Sequence, residues 1–363
     1  MDFSFTEEQE MLRDGVGKYL EKNYDFETRQ ALVRSEEPWS QKAWQQFAEF
    51  GLLALPFAEE QGGLGGSISD CVAVAELFGK HLVIEPYAAS IMLAGAALAA
   101  SDDGPAQDWL EKVIAGEAIA AFAYEEGAGT AAPDMVAMIA EPVGDAFTLT
   151  GEKRLVVAGG EADCLIVVAR RGEDGPLGVF LVEKTAQRME ARSYTTIDGR
   201  SAANIRFDAT PATLLDGAEA ALDRILAHAI IVQSAEAVGA MGALLALTSD
   251  YAMTRKQFGV PIGTFQAVAH RLADMKIAYT KARATLLYTT AMAESGAVKP
   301  RDIAILKGQV GKLGKAVGEA AIQTHGGVGM TDELSVSHYH KRLLACDAMF
   351  GSHDYHLRVV GQG

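Results

Sequence analysis

The sequence predicts an α+β protein of several domains: an N-terminal α-helical domain, a middle β-barrel-like domain and a C-terminal four-helix bundle. Three observations carry this. Apolar residues recur at helical spacing through the first third of the chain, short β-rich segments with turn residues between them follow, and long helical blocks with short breaks close it. A chain of 363 residues is expected to hold two or three domains with substantial buried cores. The boundaries fall at 1–118, 119–214 and 215–363.

The first block opens with Thr6-Glu7-Glu8-Gln9. In this pattern the threonine side chain and the glutamine satisfy each other's end of a first helical turn, so a helix is expected to start there. Leu12, Val16, Tyr19 and Leu20 then fall at helix spacing, and an Ala-rich run extends from Ala88 to Ala100. Between them Pro56 and Gln61-Gly62-Gly63-Leu64-Gly65-Gly66 must form a loop, because proline lacks a donor and glycine weakens helices. In the middle block the expected strands are Met135 to Ala140, Ala146 to Thr150, Leu165 to Ala169, Gly178 to Val182 and Asn204 to Phe207. After Asp216 the helical text is broken only at Gly259 to Gly263, Ser295 to Pro300 and Gly326 to Gly329, which favours antiparallel neighbours in a bundle.

The formal charge of -16 argues against nucleic acid or an anionic membrane surface as partner. An anionic ligand must therefore be held by local N–H groups and a few cations. Cys71, Cys164 and Cys346 are odd in number and far apart, which reads as reduced thiols and no metal site. The opening MDFSFTEEQEML lacks the basic and apolar regions of a secretory signal, and no charge-free span of about 20 residues follows. A cytoplasmic protein is expected.

Two segments carry candidate chemistry. Arg255-Lys256-Gln257-Phe258-Gly259 places a cation and a glycine at a helix end, a pattern that also serves as a plain helix stop. Gln323-Thr324-His325-Gly326-Gly327-Val328-Gly329 offers a backbone that a pyrophosphate can approach closely, or simply a loop between two helices.

Taken together and in this order, with Gly51-Leu52-Leu53-Ala54-Leu55-Pro56 and the glycine run after it, these segments resemble the acyl-CoA dehydrogenase family across nearly the whole chain. The resemblance implies FAD as cofactor, an acyl-CoA substrate and an electron-transfer flavoprotein as electron acceptor. It implies that Arg255, Gln257 and Phe258 on one side, and Gln323, Gly326 and Gly327 on the other, hold the ADP half of FAD from two different subunits. Where the family reads T-E-P-x-x-G-S-D, this chain has Tyr124-Glu125-Glu126-Gly127-Ala128-Gly129-Thr130-Ala131, which leaves Thr130 as a flavin contact. Where the family has W-I-T-N, Leu155-Val156-Val157-Ala158 stands, an apolar wall without a side-chain hydrogen bond to the ring.

The family's catalytic glutamate, in a Y-E-G-T segment, takes a proton from the carbon beside the thioester carbonyl. Here the text reads Met349-Phe350-Gly351-Ser352. The alternative family location, one long helix before the R-x-x-F-G segment, falls near Ala229. Neither carries an acid, so the catalytic residue is unassigned, with Glu125, Glu126, His353 and Asp354 as remaining candidates. The closing run from Gly329 to Leu343 is similar to small subunits of pimeloyl-CoA dehydrogenase type, with Lys341-Arg342 replacing the usual R-D pair. The leading expectation is a subunit that oxidises a Cα–Cβ bond with a base supplied by a homologous larger subunit in a heterotetramer. The alternatives are a homo-oligomer with a relocated base and a non-catalytic structural or regulatory subunit.

Overall fold

The computed structural model describes residues 6–127, 132–144 and 146–362. The first helical block holds α1 (Glu7–Asn23), α2 (Phe26–Val33), α3 (Gln41–Glu49), α4 (Ile68–His81), α5 (Ala96–Ala99) and α6 (Gly104–Ile114). The strands are β1 (Ala120–Ala123), β2 (Ile139–Val143), β3 (Ala146–Val157), β4 (Cys164–Arg171), β5 (Leu177–Glu183), β6 (Met189–Thr195) and β7 (Ser201–Leu214). The long helix α7 (Ala218–Thr254) leads into a hairpin of β8 (Lys256–Gln257) and β9 (Val260–Pro261). Helices α8 (Gln266–Glu294), α9 (Pro300–His325), α10 (Ser335–Ala348) and α11 (His353–Gln362) complete the chain.

The expected helix start is present. The Thr6 hydroxyl accepts from the Gln9 amide at 3.2 Å, and the Gln9 side chain accepts from the Thr6 amide at 3.1 Å. In the Ala-rich run the backbone winds wider than an α-helix, since Ala88–Gly95 forms a π-helical stretch before α5. The strands differ from the sequence reading mainly at their ends. The segment expected from Met135 to Ala140 begins as a helical turn at Pro133–Met135 and becomes strand only at Ile139, because Pro133 is preset for a first helical position. Two strands carry no legible pattern: β1 is Ala-Ala-Phe-Ala and buried throughout, and β6 is an exposed edge of mixed polarity.

The sheet closes on itself. Antiparallel pairings join β4 to β5, β5 to β7, β7 to β3 and β3 to β2, and a short parallel pairing of β2 with β4 at Ile139↔Arg170 completes the ring. β1 extends the same edge of β4 and β6 covers β7. Leu149, Val167, Val179, Phe180 and Ile205 are fully buried in this barrel-like sheet. Lys153 on β3 is buried too, donating to the Glu126 carboxylate at 2.6 Å and the Tyr124 carbonyl at 3.1 Å. The same carboxylate accepts from the backbone amides of Ala137 and Met138, so both of its oxygens are engaged.

Compactness divides the described residues into two units. One takes the residues up to Arg29, Val72–Val83 and everything from Ile230; the other takes Gln30–Cys71 and Ile84–Ala229. The first helical block thus contributes to both. Helix α7 is long and apolar enough to cross a membrane by composition, yet 67% of its most apolar window is buried within the protein, as a core helix requires. All three cysteines are buried, and burial pushes the Cys164 thiol up to about 12.

In the first unit α4 and α7 cross at backbone contact. A methyl group on Gly79 would overlap the Glu236 carbonyl, and one on Gly239 would overlap the Glu76 carbonyl. The reciprocal contact sets two buried glutamates beside arginines. Glu76 accepts from Arg13 at 3.2 Å and faces Arg283 at 3.5 Å, while Glu236 faces Arg342 at 3.5 Å and Arg342 also donates to the Val83 carbonyl at 2.9 Å. Helix α9 uses the same device. Gly308 lies against Leu357 of α11, and Gly311, Gly314 and Gly318 lie against Asp347, Leu343 and His340 of α10.

Gly239→Val is expected to destabilise the protein by about 1–3 kcal/mol or more, because the overlapping atom is backbone and cannot swing away. Urea unfolding followed by far-UV circular dichroism measures it. A loss below about 0.5 kcal/mol would show that α4 and α7 separate freely. Lys153 gives a second test. Burial lowers its ammonium to about 8, against an opposing pull from Glu126, so the folded chain sheds this proton before the unfolded chain does. The unfolded state binds more protons from about pH 8 to the ordinary lysine value, and stability rises with pH across that window by an amount of order 3 kcal/mol. The double variant Lys153→Met, Glu126→Gln is expected to lack that rise when both stability curves are measured from pH 7.5 to 10.5.

Candidate functional site

Helix α7 ends where the candidate Arg255 begins, its amide donating to the Tyr251 carbonyl at 2.8 Å. The β8–β9 hairpin pairs Lys256 with Pro261 and Gln257 with Val260. Its turn residues Phe258 and Gly259 have φ of 54° and 84°, the positive pair that a two-residue hairpin of this twist needs. Glycine is at ease there, but a phenylalanine is strained. That strained ring is 92% exposed, and Phe265 meets it edge to face at 6.2 Å. An exposed, strained aromatic is an expense to stability that points to a contact beyond the chain itself. Arg255 and Gln257 are exposed beside it, and among the described residues the Arg255 guanidinium has no ion-pair partner.

The second segment ends α9. His325 is buried, its Nδ1 2.9 Å from the Ala321 carbonyl. Gly326 then turns the chain at φ 68° and ψ -149°, a region essentially reserved for glycine. Gly326 and Gly327 are exposed, and a side chain added to either would meet no atom within 4 Å. Gln323 is exposed one turn earlier.

The structure brings these two segments together within one chain. The Tyr251 and His325 rings stack at 4.3 Å between centroids with an interplanar angle of 25°. The stacking ties the last turn of α7, which precedes Arg255, to the end of α9. The sequence could not show this, because the contact joins residues far apart in the chain through one ring pair.

Thr130, the expected flavin contact of the middle block, lies outside the described residues. The expected apolar wall is present in the second unit, where Val156, Val157 and Ala158 are buried. Leu155 and Ala158 have φ of 50° and 59°, and the β3–β7 register slips between Lys153 and Val156. The Leu155 amide is capped by the Asn204 side chain at 3.3 Å. This bulge falls in the segment that the resemblance aligns with the family's aromatic and hydroxyl residues.

At the two base positions the structure holds no acid. Phe350 is 5% exposed between α10 and α11 with φ of 55°, and Ala229 is 1% exposed. The remaining candidates are occupied or remote. Glu126 is clasped by Lys153 and two amides. Asp354 is exposed and lies 3.5 Å from His353. His353 Nδ1 is 2.6 Å from Asp347, whose other oxygen accepts from the His353 amide at 2.8 Å. Glu125 is buried beside β1, with its carbonyl accepting from the Arg154 amide at 2.7 Å. Sequence reading missed Asp347, whose role depends on a chain reversal through Phe350 and Gly351.

Comparison with known proteins agrees with this architecture. The acyl-CoA dehydrogenase N-terminal domain matches residues 6–137 and the C-terminal domain of the same family matches residues 216–363. The chain is 26% identical to the acyl-CoA dehydrogenase FadE27 of Mycobacterium tuberculosis over all of its own length and 98% of that protein. Among solved structures it superposes on a Tcur3481–Tcur3483 steroid ACAD variant with a TM-score of 0.90 at 28% identity, covering 98% of this chain and 97% of that one. It superposes equally, at 0.90 and 26% identity, on a chain of the ChsE4–ChsE5 complex from Mycobacterium tuberculosis, covering 100% of this chain and 98% of that one. With both terminal domains matched, the barrel-like sheet between them and full-length relatives of the same kind, the chain belongs to the acyl-CoA dehydrogenase family, oxidoreductases acting on the CH–CH bond of CoA thioesters.

Proposed function

We propose that this chain is an FAD-binding subunit of an acyl-CoA dehydrogenase whose catalytic base comes from a related partner chain. The observation that carries the second half is buried Phe350, which fills the position of the family's acid with a side chain unable to accept a proton. The relatives include complexes of two differently named chains, Tcur3481–Tcur3483 and ChsE4–ChsE5, which supports a heteromer over a homo-oligomer.

The residues present suit a dinucleotide. Gly326 and Gly327 leave open space in which a ligand can approach the backbone, and Arg255 would supply the charge-assisted hydrogen bonds a diphosphate needs in a chain of net charge -16. Phe258 offers a flat apolar face beside them. When bound, FAD supplies the hydride acceptor for the Cβ hydrogen, and an electron-transfer flavoprotein is the expected onward acceptor. The stacking of Tyr251 on His325 ties together the helix ends that carry the two segments, and the arms that enclose one FAD are expected from two subunits of the oligomer.

The chain's own contribution is then binding, orientation and exclusion of water by the Val156–Ala158 wall. Proton removal from Cα is what it lacks. A positioned general base contributes about 10²–10⁴-fold, so an isolated chain loses at least that factor.

Arg255→Ala is expected to weaken FAD binding by about 1.5–3 kcal/mol, the scale of a hydrogen bond to a charged group, with the fold intact. Titration of apo-protein by flavin fluorescence measures it, and an unchanged affinity would reduce Arg255 to a helix-end cation. The missing base is tested by anaerobic bleaching of the flavin with a panel of acyl-CoAs. Wild type alone is expected to remain oxidised, and wild type with a base-bearing homologue to bleach. Phe350→Glu alone is expected to recover little, because an acid in that buried apolar position stays protonated. Rapid bleaching by wild type alone would refute the partner-supplied base and direct attention to Glu125.

A further inference from the structure

The second unit contains a cleft of about 240 Å³ that none of the cofactor segments lines. Its construction begins in the glycine loop after Pro56. The amides of Gly63, Leu64, Gly65 and Gly66 donate to the carbonyls of Ala58, Ala54, Phe57 and Leu55 at 2.8–3.0 Å. Added side chains at Gly63 or Gly66 would overlap those carbonyls, so only glycine lets the loop fold back this tightly. The fold-back fixes Phe57, which is buried and packs its ring against Gly95 of the π-helical stretch. It also aims Gln61, whose amide donates to the Ala99 carbonyl at 2.9 Å. The loop is thereby tied to the helical segment across the cleft.

The apolar walls are Phe57, Ile91, Met92 and Ala96. The last three come from or follow the π-helical residues, and π-helical distortions occur often at functional sites. The wall contributed by α7 has a different character. Arg224 and His228 stand one helical turn apart, and both line the cleft. Among the described residues the Arg224 guanidinium has no ion-pair partner, in a protein with an excess of 16 negative charges. Apolar walls with convergent cationic and hydrogen-bonding groups on one side describe a ligand site.

We infer that this cleft receives the distal end of an acyl group that terminates in a carboxylate, with Arg224 as its ion-pair partner and His228 as an added donor. This rests on the acyl-CoA reading given above and narrows it to ω-carboxylated chains. The methylene portion lies along Phe57, Met92 and Ala96, and the terminal anion meets the α7 wall. An uncharged fatty chain would fill the same apolar walls but leave Arg224 unused.

The test uses the purified full-length protein and two small probes, with an ester in place of the thioester: monomethyl octanedioate, which carries one carboxylate, and methyl octanoate, which carries none. By calorimetric titration wild type is expected to bind the acid about tenfold more tightly than the neutral ester, the scale of one charge-assisted hydrogen bond. Arg224→Met is expected to reduce that preference to less than about twofold while flavin content is unchanged. Met92→Trp, which fills the cleft, is expected to weaken both probes. Equal binding of the two probes by wild type, or a preference that survives Arg224→Met, would overturn the assignment. Coenzyme A serves as a third probe. If it competes with the acid and its own affinity falls in Arg224→Met, the cleft holds a nucleotide phosphate and the assignment also fails. None of these readouts requires turnover, so the cleft can be refuted while the flavin-dependent reading stands, and the reverse.

Discussion

The contact on which the first unit depends is the crossing of α4 and α7 at Gly79 and Gly239. Each glycine admits the other helix's carbonyl at a distance that a single methyl group would forbid. Because the backbones approach so closely, Glu76 and Glu236 become buried at the crossing, and buried carboxylates require partners. Arg13, Arg283 and Arg342 answer that need from three other elements. One steric permission thus fixes α1, α4, α7, α8 and α10 as a set. Removing Arg342 would take from Glu236 its arginine partner, while Glu76 keeps one of its two when the other is removed; a side chain at either glycine would push the two helices apart. The α9 glycines play a related part against the side chains of α10 and α11.

The second unit is organised by a different rule. Its barrel is closed by a short parallel contact and carries a buried ion pair, Lys153 with Glu126, where an apolar pair would satisfy packing alone. The pair holds the segment after β1 against β3 and leads directly into the bulge at Leu155. The wall that replaces the family's aromatic and hydroxyl residues is thus positioned by electrostatics as well as by strand pairing. The apolar wall at Val156–Ala158 and the buried Phe350 lie on separate elements.

Much of the fold was legible because it rests on local signals. Thr6 and Gln9 announced a helix start, the glycine and proline runs marked the loops, and the Phe258-Gly259 turn lay within a motif. The three-block succession was visible from the change of period. What was not legible depends on distant or weak signals. β6 has no apolar alternation, since it is an exposed edge, and β1 is alanine-rich. The wide winding of Ala88–Gly95 has no linear signature. At the candidate site, the residues of both candidate segments could be named, but not the stacking of Tyr251 on His325, which joins two helix ends. Acyl-chain preference was illegible for the same reason: Arg224, Met92 and Phe57 come from three separate parts of the sequence.

The burial of all three cysteines has a practical side. A protein whose native thiols are shielded, one of them with its ionisation pushed up to about 12, offers almost no thiolate to alkylating reagents at neutral pH. A cysteine introduced at an exposed position would be the single accessible thiol among the described residues. The turn of the β8–β9 hairpin is such a position, and a fluorophore or spin label attached there would report on that surface without the removal of any native cysteine. The fold has in effect left the chain ready for site-specific labelling.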